Sequence, residues 1–181
     1  MEDDWPRPPI GEARVRIPAS LKNRVPLPLR FLAARLLPQH SRRSSPNVSD
    51  LRSHRIGDHE FLDIYWLEVG CDRGPAASLY VCDDEVMRMD CFDGGSAHLH
   101  FNQKQSRAFP NGGGARLYFP PGRAIDHIER ACFELSTNLP YCLALNVSRR
   151  IRETRISPTA LKEAVAFMRS EMHALLREHE G

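Results

Sequence analysis

The segment Asp93-Gly94-Gly95-Ser96 restricts the fold more than any other part of the chain. Val86–Phe92 before it and Ala97–Asn102 after it both alternate apolar and polar residues. An Asp-Gly-Gly turn between two such runs predicts an antiparallel hairpin, because glycine reaches the backbone angles a tight turn needs. Side chains alternate faces along a strand. His98, His100 and Asn102 are therefore expected on one face, with Leu99 and Phe101 on the other. Across the turn, Arg88, Asp90 and Phe92 share a face, and Met87, Met89 and Cys91 share the opposite one.

Three more runs extend the pattern. Phe61–Val69 is aromatic and β-branched and closes at Gly70. Ala76–Cys82 follows, ended by Asp83-Asp84, and Arg116–Phe119 is a short run ended by Pro120-Pro121-Gly122. Beyond it the period changes. Ile125, Ile128, Cys132, Leu135 and Leu139 recur at helical spacing, with Pro140 expected to end or kink that helix. Ser157-Pro158 opens a second helix, Ser as N-cap and Pro at its first position. Leu161, Val165, Met168, Met172 and Leu175 form its apolar stripe. Strands followed by helices predict an α+β domain: an antiparallel meander of about five strands with two C-terminal helices packed on one face. Gly112-Gly113-Gly114 reads as a flexible loop, since no Lys-Ser/Thr follows to make a phosphate cradle.

The chain divides unevenly in charge. A net charge of +2 over 181 residues conceals eleven Lys/Arg against two acids in residues 5–55. Eight of the fourteen prolines lie in residues 1–46. Residues 1–58 therefore read as a basic, Pro/Arg-rich arm, with a linker over 39–58, and residues 59–181 as the α+β domain. Within the arm, residues 28–37 form a proline-bounded amphipathic segment of about one short helix, too short to persist alone in water. It needs a surface: the body of the chain, a protein partner or, least favoured for so small an apolar face, a membrane. Arg30, Arg35, Arg42 and Arg43 with Leu32 and Leu36 are the candidate partner-contacting residues. An acidic protein surface suits them. Phosphate backbones of nucleic acid suit the arginines too, although the interleaved aromatics that stack bases are missing.

Cysteines at 71, 82, 91, 132 and 142 are odd in number and never spaced C-x-x-C. That argues against a disulfide framework or a zinc ribbon. Glu2-Asp3-Asp4 is the reverse of a secretion signal's basic start. No apolar run approaches the roughly 18 residues that span a bilayer. The expected setting is a reducing cytoplasm, and the sequence leaves the oligomeric state open.

The hairpin carries the strongest chemistry. If its register sets Asp90 opposite His98 and His100, a two-His-one-carboxylate set is available for iron or another divalent metal with open positions. If it sets Cys91 there, a zinc- or copper-like His₂Cys set results. The plainer alternative is a polar row hydrogen-bonded to a neighbouring acid, and sensitive to pH. Gly114 and Pro120-Pro121-Gly122 match the G-x5-P-x-G of cupins, but His127 comes two residues late and the glutamate expected after His-x-His is missing. The segment Met87-Arg88-Met89-Asp90-Cys91-Phe92…His98-Leu99-His100-Phe101, then a helix ending Leu139-Pro140, resembles a family of small uncharacterised bacterial proteins with an R-x-D-C-F/H-x-H hairpin ahead of a helix. That resemblance spans about residues 60–145. It implies a bacterial α+β protein and no particular activity. The expected function is a binding or accessory module whose arm engages a partner. The alternative is a metal-dependent enzyme or metal carrier using His98, His100 and Asp90 or Cys91, and a nonspecific nucleic-acid binder comes third.

Overall fold

The computed structural model describes residues 47–82, 84–102 and 115–180. The chain divides into two units, Met1–Asn47 and Val48–Gly181, and nearly all described residues belong to the second. The candidate contacts Arg30, Leu32, Arg35, Leu36, Arg42 and Arg43, the segment 28–37 and Gly112–Gly114 lie outside the described residues.

Six strands form one sheet in sequence order: β1 (Asn47–Arg55), β2 (Glu60–Val69), β3 (Asp72–Val81), β4 (Asp84–Asp90), β5 (His98–Phe101) and β6 (Ala115–Tyr118). Helices α1 (Ala124–Ala144), α2 (Arg149–Glu153) and α3 (Pro158–Glu180) follow. The α+β meander with helices on one face is thus present, with six strands in place of about five. The added strand is β1, in residues expected as linker. Its polar sequence hid it: β1 is hydrogen-bonded at the edge of the sheet, and side chains add to its hold. Arg52 reaches across to Glu171 at 2.7 Å and Glu178 at 2.6 Å on α3. Arg55 pairs with Asp58. These two arginines therefore belong to the folded body and not to the basic arm. Between the two long helices, α2 buries Ile151.

The sheet separates its residues by parity. Leu62, Ile64 and Trp66 of β2, Ala77 and Leu79 of β3, Met87 and Met89 of β4, and Leu99 of β5 meet α1 and α3 in one hydrophobic core. From α1 come Ile128, Cys132, Leu135 and Leu139; from α3 come Met168, Met172 and Leu175. Burying each such side chain contributes about 1.5–3 kcal/mol. Ile125 departs from its predicted stripe and lies exposed. Helix α1 runs four residues past Pro140, which removes one backbone hydrogen bond but leaves Cys142 and Leu143 in the core. Ser157 caps α3 as expected, accepting from the Ala160 N–H at 3.1 Å.

One bulge shapes the polar face. Leu79 opposes Met87 and Tyr80 opposes Glu85, so Val86 has no partner in the ladder. The slip sends Val86 into the core and returns Glu85 to the face of Ser78, whose hydroxyl donates to it at 2.7 Å. No described helix is long and apolar enough to cross a membrane.

Gly74 in β3 sits where only a hydrogen fits: a Cβ there would stand 2.3 Å from the carbonyl oxygen of Cys91. Gly74→Ala is expected to push the Cys91–Phe92 backbone away and lower stability by about 1–3 kcal/mol, the usual scale of overpacking, in a urea melt. A neutral effect would show that this backbone yields freely.

Candidate metal centre

The turn behaves differently from a tight hairpin. Residues 91–97, seven in place of the four expected, join β4 to β5. Gly94, at φ +80°, exchanges two backbone hydrogen bonds with Gly122 at 2.8 and 3.0 Å. Asp93 accepts from the Ala124 N–H at 2.6 Å, at the start of α1. His127 of α1 bridges the same corner, with Nδ1 2.6 Å from the Phe92 carbonyl and Nε2 2.9 Å from that of Pro120. The turn residues thus dock the loop onto α1.

This loop sets the register. Asp90 pairs with His98 and Arg88 with His100; beyond them His98 pairs with Tyr118 and His100 with Arg116. On β3, Ala76 pairs with Asp90 and Ser78 with Arg88. Asp90, His98 and His100 share one face as the first of the two open registers requires. Cys91 lies in the hydrophobic core instead, its thiol pushed well above the ordinary range by burial. It contributes nothing to this site, because the strand's alternation turns it toward the helices. Asn102 also leaves the expected row. It takes the left-handed conformation at φ +46°, donates to the Cys142 carbonyl at 2.5 Å and accepts from Asn146 at 2.7 Å. Asn is among the few side chains that tolerate this backbone.

Asp90, His98 and His100 are 2, 7 and 2% exposed. Buried polar groups persist only when partnered, and here the partners are close. Arg88 donates from Nε to Asp90 Oδ1 at 3.0 Å, and from Nη2 to Oδ2 at 3.1 Å and to His100 Nε2 at 2.8 Å. His98 Nδ1 lies 2.6 Å from the Ser96 carbonyl oxygen, so its proton is on Nδ1 and donates there. That leaves the His98 Nε2 lone pair 2.7 Å from His100 Nε2. Asp90 Oδ2 stands 3.4 Å from the first nitrogen and 3.5 Å from the second. Two lone pairs at such a distance repel unless a proton or a metal ion lies between them.

The charges around the site are tuned by burial. Burial works against Asp90, but hydrogen bonding with His100 and the charge of Arg88 more than offset it and hold the carboxyl below its ordinary range. Burial holds the His100 imidazole below its ordinary value, against the pull of Asp90. Tyr65 donates to Ser78 Oγ at 2.9 Å on the same face, and burial first, then the charge of Asp90, push its phenol well up. Arg88 was legible from its spacing two residues before Asp90 on one strand. The Ser96 carbonyl and Tyr118, whose ring lies 5.4 Å from that of His98, were not. His173 and His179 of α3 pair with Glu129 and Asp50. Comparison with family models, curated proteins and solved structures returns no match.

Acid should weaken this site in two stages. His100 takes up a proton near 6.5 in the unfolded chain but only at lower pH when folded. Its contribution is present above 6.5 and is lost as pH falls through the folded value. Asp90, lowered from 3.8, adds a second loss at still lower pH. Thermal melts from pH 8 to 3 are expected to show Tm falling below about 6.5, with that stage reduced in His100→Gln. A flat profile from pH 7 to 5, unchanged by the substitution, would contradict the arrangement.

Proposed function

We propose that the protein binds one divalent transition-metal ion through Asp90 Oδ2, His98 Nε2 and His100 Nε2. It works as a metal-dependent enzyme or metal carrier in a bacterial cytoplasm. One observation carries the reading: the Nε2 atoms of His98 and His100 face each other across 2.7 Å, with a buried carboxylate oxygen 3.4–3.5 Å from both. Ligands about 2.0–2.2 Å from a tetrahedral ion stand roughly 3.3–3.5 Å apart. Two edges of the triangle already match, and the third needs to widen by only a fraction of an ångström.

The surroundings support the reading. The Ser96 carbonyl holds His98 Nδ1 and so aims Nε2 at Asp90 and His100, the outer-shell arrangement typical of metal-bound histidine. Two imidazoles and one carboxylate suit zinc, iron, nickel or copper over magnesium or calcium. Three protein ligands leave coordination positions for water or substrate, where such an ion lowers the pKa of water or polarises a carbonyl. Five cysteines, all free, fit a reducing compartment.

A second reading rests on charge alone. Residues 5–46 carry nine Lys/Arg against one acid, which suits an acidic partner surface. An accessory role for the metal-binding body, brought to its partner by this arm, joins the two readings. Deleting residues 1–46 should then abolish co-purification of an acidic partner while leaving the metal content unchanged. If association persists, the arm has no such role.

Metal analysis tests the main proposal. Purified protein incubated with Zn(II) and desalted is expected to hold about one ion per chain. His98→Ala and His100→Ala should each weaken binding beyond the roughly 10–100-fold that losing an outer-shell partner costs. Circular dichroism checks that both variants fold. Folded wild type that takes up no Zn(II), Fe(II), Ni(II) or Cu(II) ends the proposal.

A further inference from the structure

His100 Nε2 has a single lone pair, lying in the ring plane. That lone pair accepts the Arg88 Nη2 hydrogen at 2.8 Å. The same Nη2 also donates to Asp90 Oδ2 at 3.1 Å. One nitrogen of a permanent cation therefore occupies two of the three atoms proposed as ligands. A lone pair shared with an N–H cannot also coordinate an ion. From this geometry, and resting on the metal reading above, we infer that Arg88 is a displaceable occupant of the centre: guanidinium and metal ion exclude one another at His100.

Arg88 is placed to move. Its side chain is 26% exposed, while those of Asp90 and His100 are 3% and 2% exposed. The cation has a route toward solvent that the ligands lack. Its Nε bond to Asp90 Oδ1 uses the carboxylate oxygen outside the ligand set, so the guanidinium can pivot on that bond while Nη2 withdraws. The polar neighbours of His98 are the Ser96 carbonyl, His100 and Asp90, and Arg88 Nη2 bonds instead to His100 and Asp90. An entering ion therefore meets His98 and one lone pair of Asp90 first, and completes its shell at His100 only as Nη2 leaves. The empty centre is kept charge-balanced, Asp90 against Arg88. The loaded centre replaces that balance with the ion's own charge. Arg88 thus sets a threshold: it favours ions that bind imidazole strongly, and it keeps the centre closed to weak oxygen-seeking ions.

Zn(II) alone is the probe, in competition with a chromophoric chelator at pH 7.5. Arg88→Met keeps much of the side-chain length and removes the charge and all donors. It is expected to bind Zn(II) at least ten-fold more tightly than wild type. A role confined to structure would move affinity the other way, since it would loosen Asp90 and His100. Folded Arg88→Met that binds Zn(II) no more tightly than wild type overturns the inference and leaves the metal reading standing. Should neither protein bind, the metal reading itself fails. Arg88→Met also leaves Asp90 buried without its partner, so nitrogen-15 NMR of wild type supplies a second measurement. Zn(II) should shift the His98 and His100 Nε2 resonances together, and the protected Arg88 side-chain N–H signals should pass into fast exchange with water. Arg88 signals that stay protected while both histidines shift overturn the inference whether or not the variant folds.

Discussion

The position of β4 against β5 decides what this protein can do. With Asp90 opposite His98 and Arg88 opposite His100, four polar side chains converge. A slip of one residue would send the histidines to the helix side and bring Leu99 and Phe101 to the polar face. The ladder between the two strands is only four pairs long, too short to hold itself firmly. The hold comes from outside the ladder. Gly94 is hydrogen-bonded to Gly122, Asp93 to the first turn of α1, and His127 to both sides of the corner. The helix that fills the core therefore also fixes the chemistry on the opposite face.

That opposite face is expensive to build. Tyr65, Ser78, Asp90, His98 and His100 are all buried. Each would cost more than a kilocalorie per mole if left without a partner, on the order of 1–3 kcal/mol for a neutral group and more for a charge. Their bonds form two chains, Tyr65 to Ser78 to Glu85 and the cluster around Arg88. An apolar lining of the same shape would be easier to stabilise, so a polar cluster on this scale is where the metal proposal looks first.

Much of this was legible in the sequence. Alternation of Met87, Met89 and Leu99 with Arg88, Asp90 and His98 gave the strands and their faces. The stripe through Met168 and Met172 gave the last helix, and Ser157 its start. What stayed hidden has a common cause: it depends on contacts between distant residues. Register could not be read, because Asp93 and Gly94 serve α1 and Gly122, some thirty residues on, as well as the turn. Strand β1 could not be read, because Arg52 finds its carboxylates on α3, more than a hundred residues away. Asn102 left its row because the strand ends at Phe101 and a buried amide relay to Asn146 takes over.

Trp66 lies in the core with its indole stacked on the imidazole of His179, ring centroids 4.1 Å apart and planes within 4°. His179 is in turn tied to Asp50 on the outer strand. An imidazolium stacked on an indole quenches its emission, so with His179 charged this stack is a natural optical gauge. Were the tail of the last helix to lift from the sheet, the two rings would separate and Trp66 would brighten above the constant emission of Trp5. The molecule carries its own signal for how firmly its outer strand and final helix stay together.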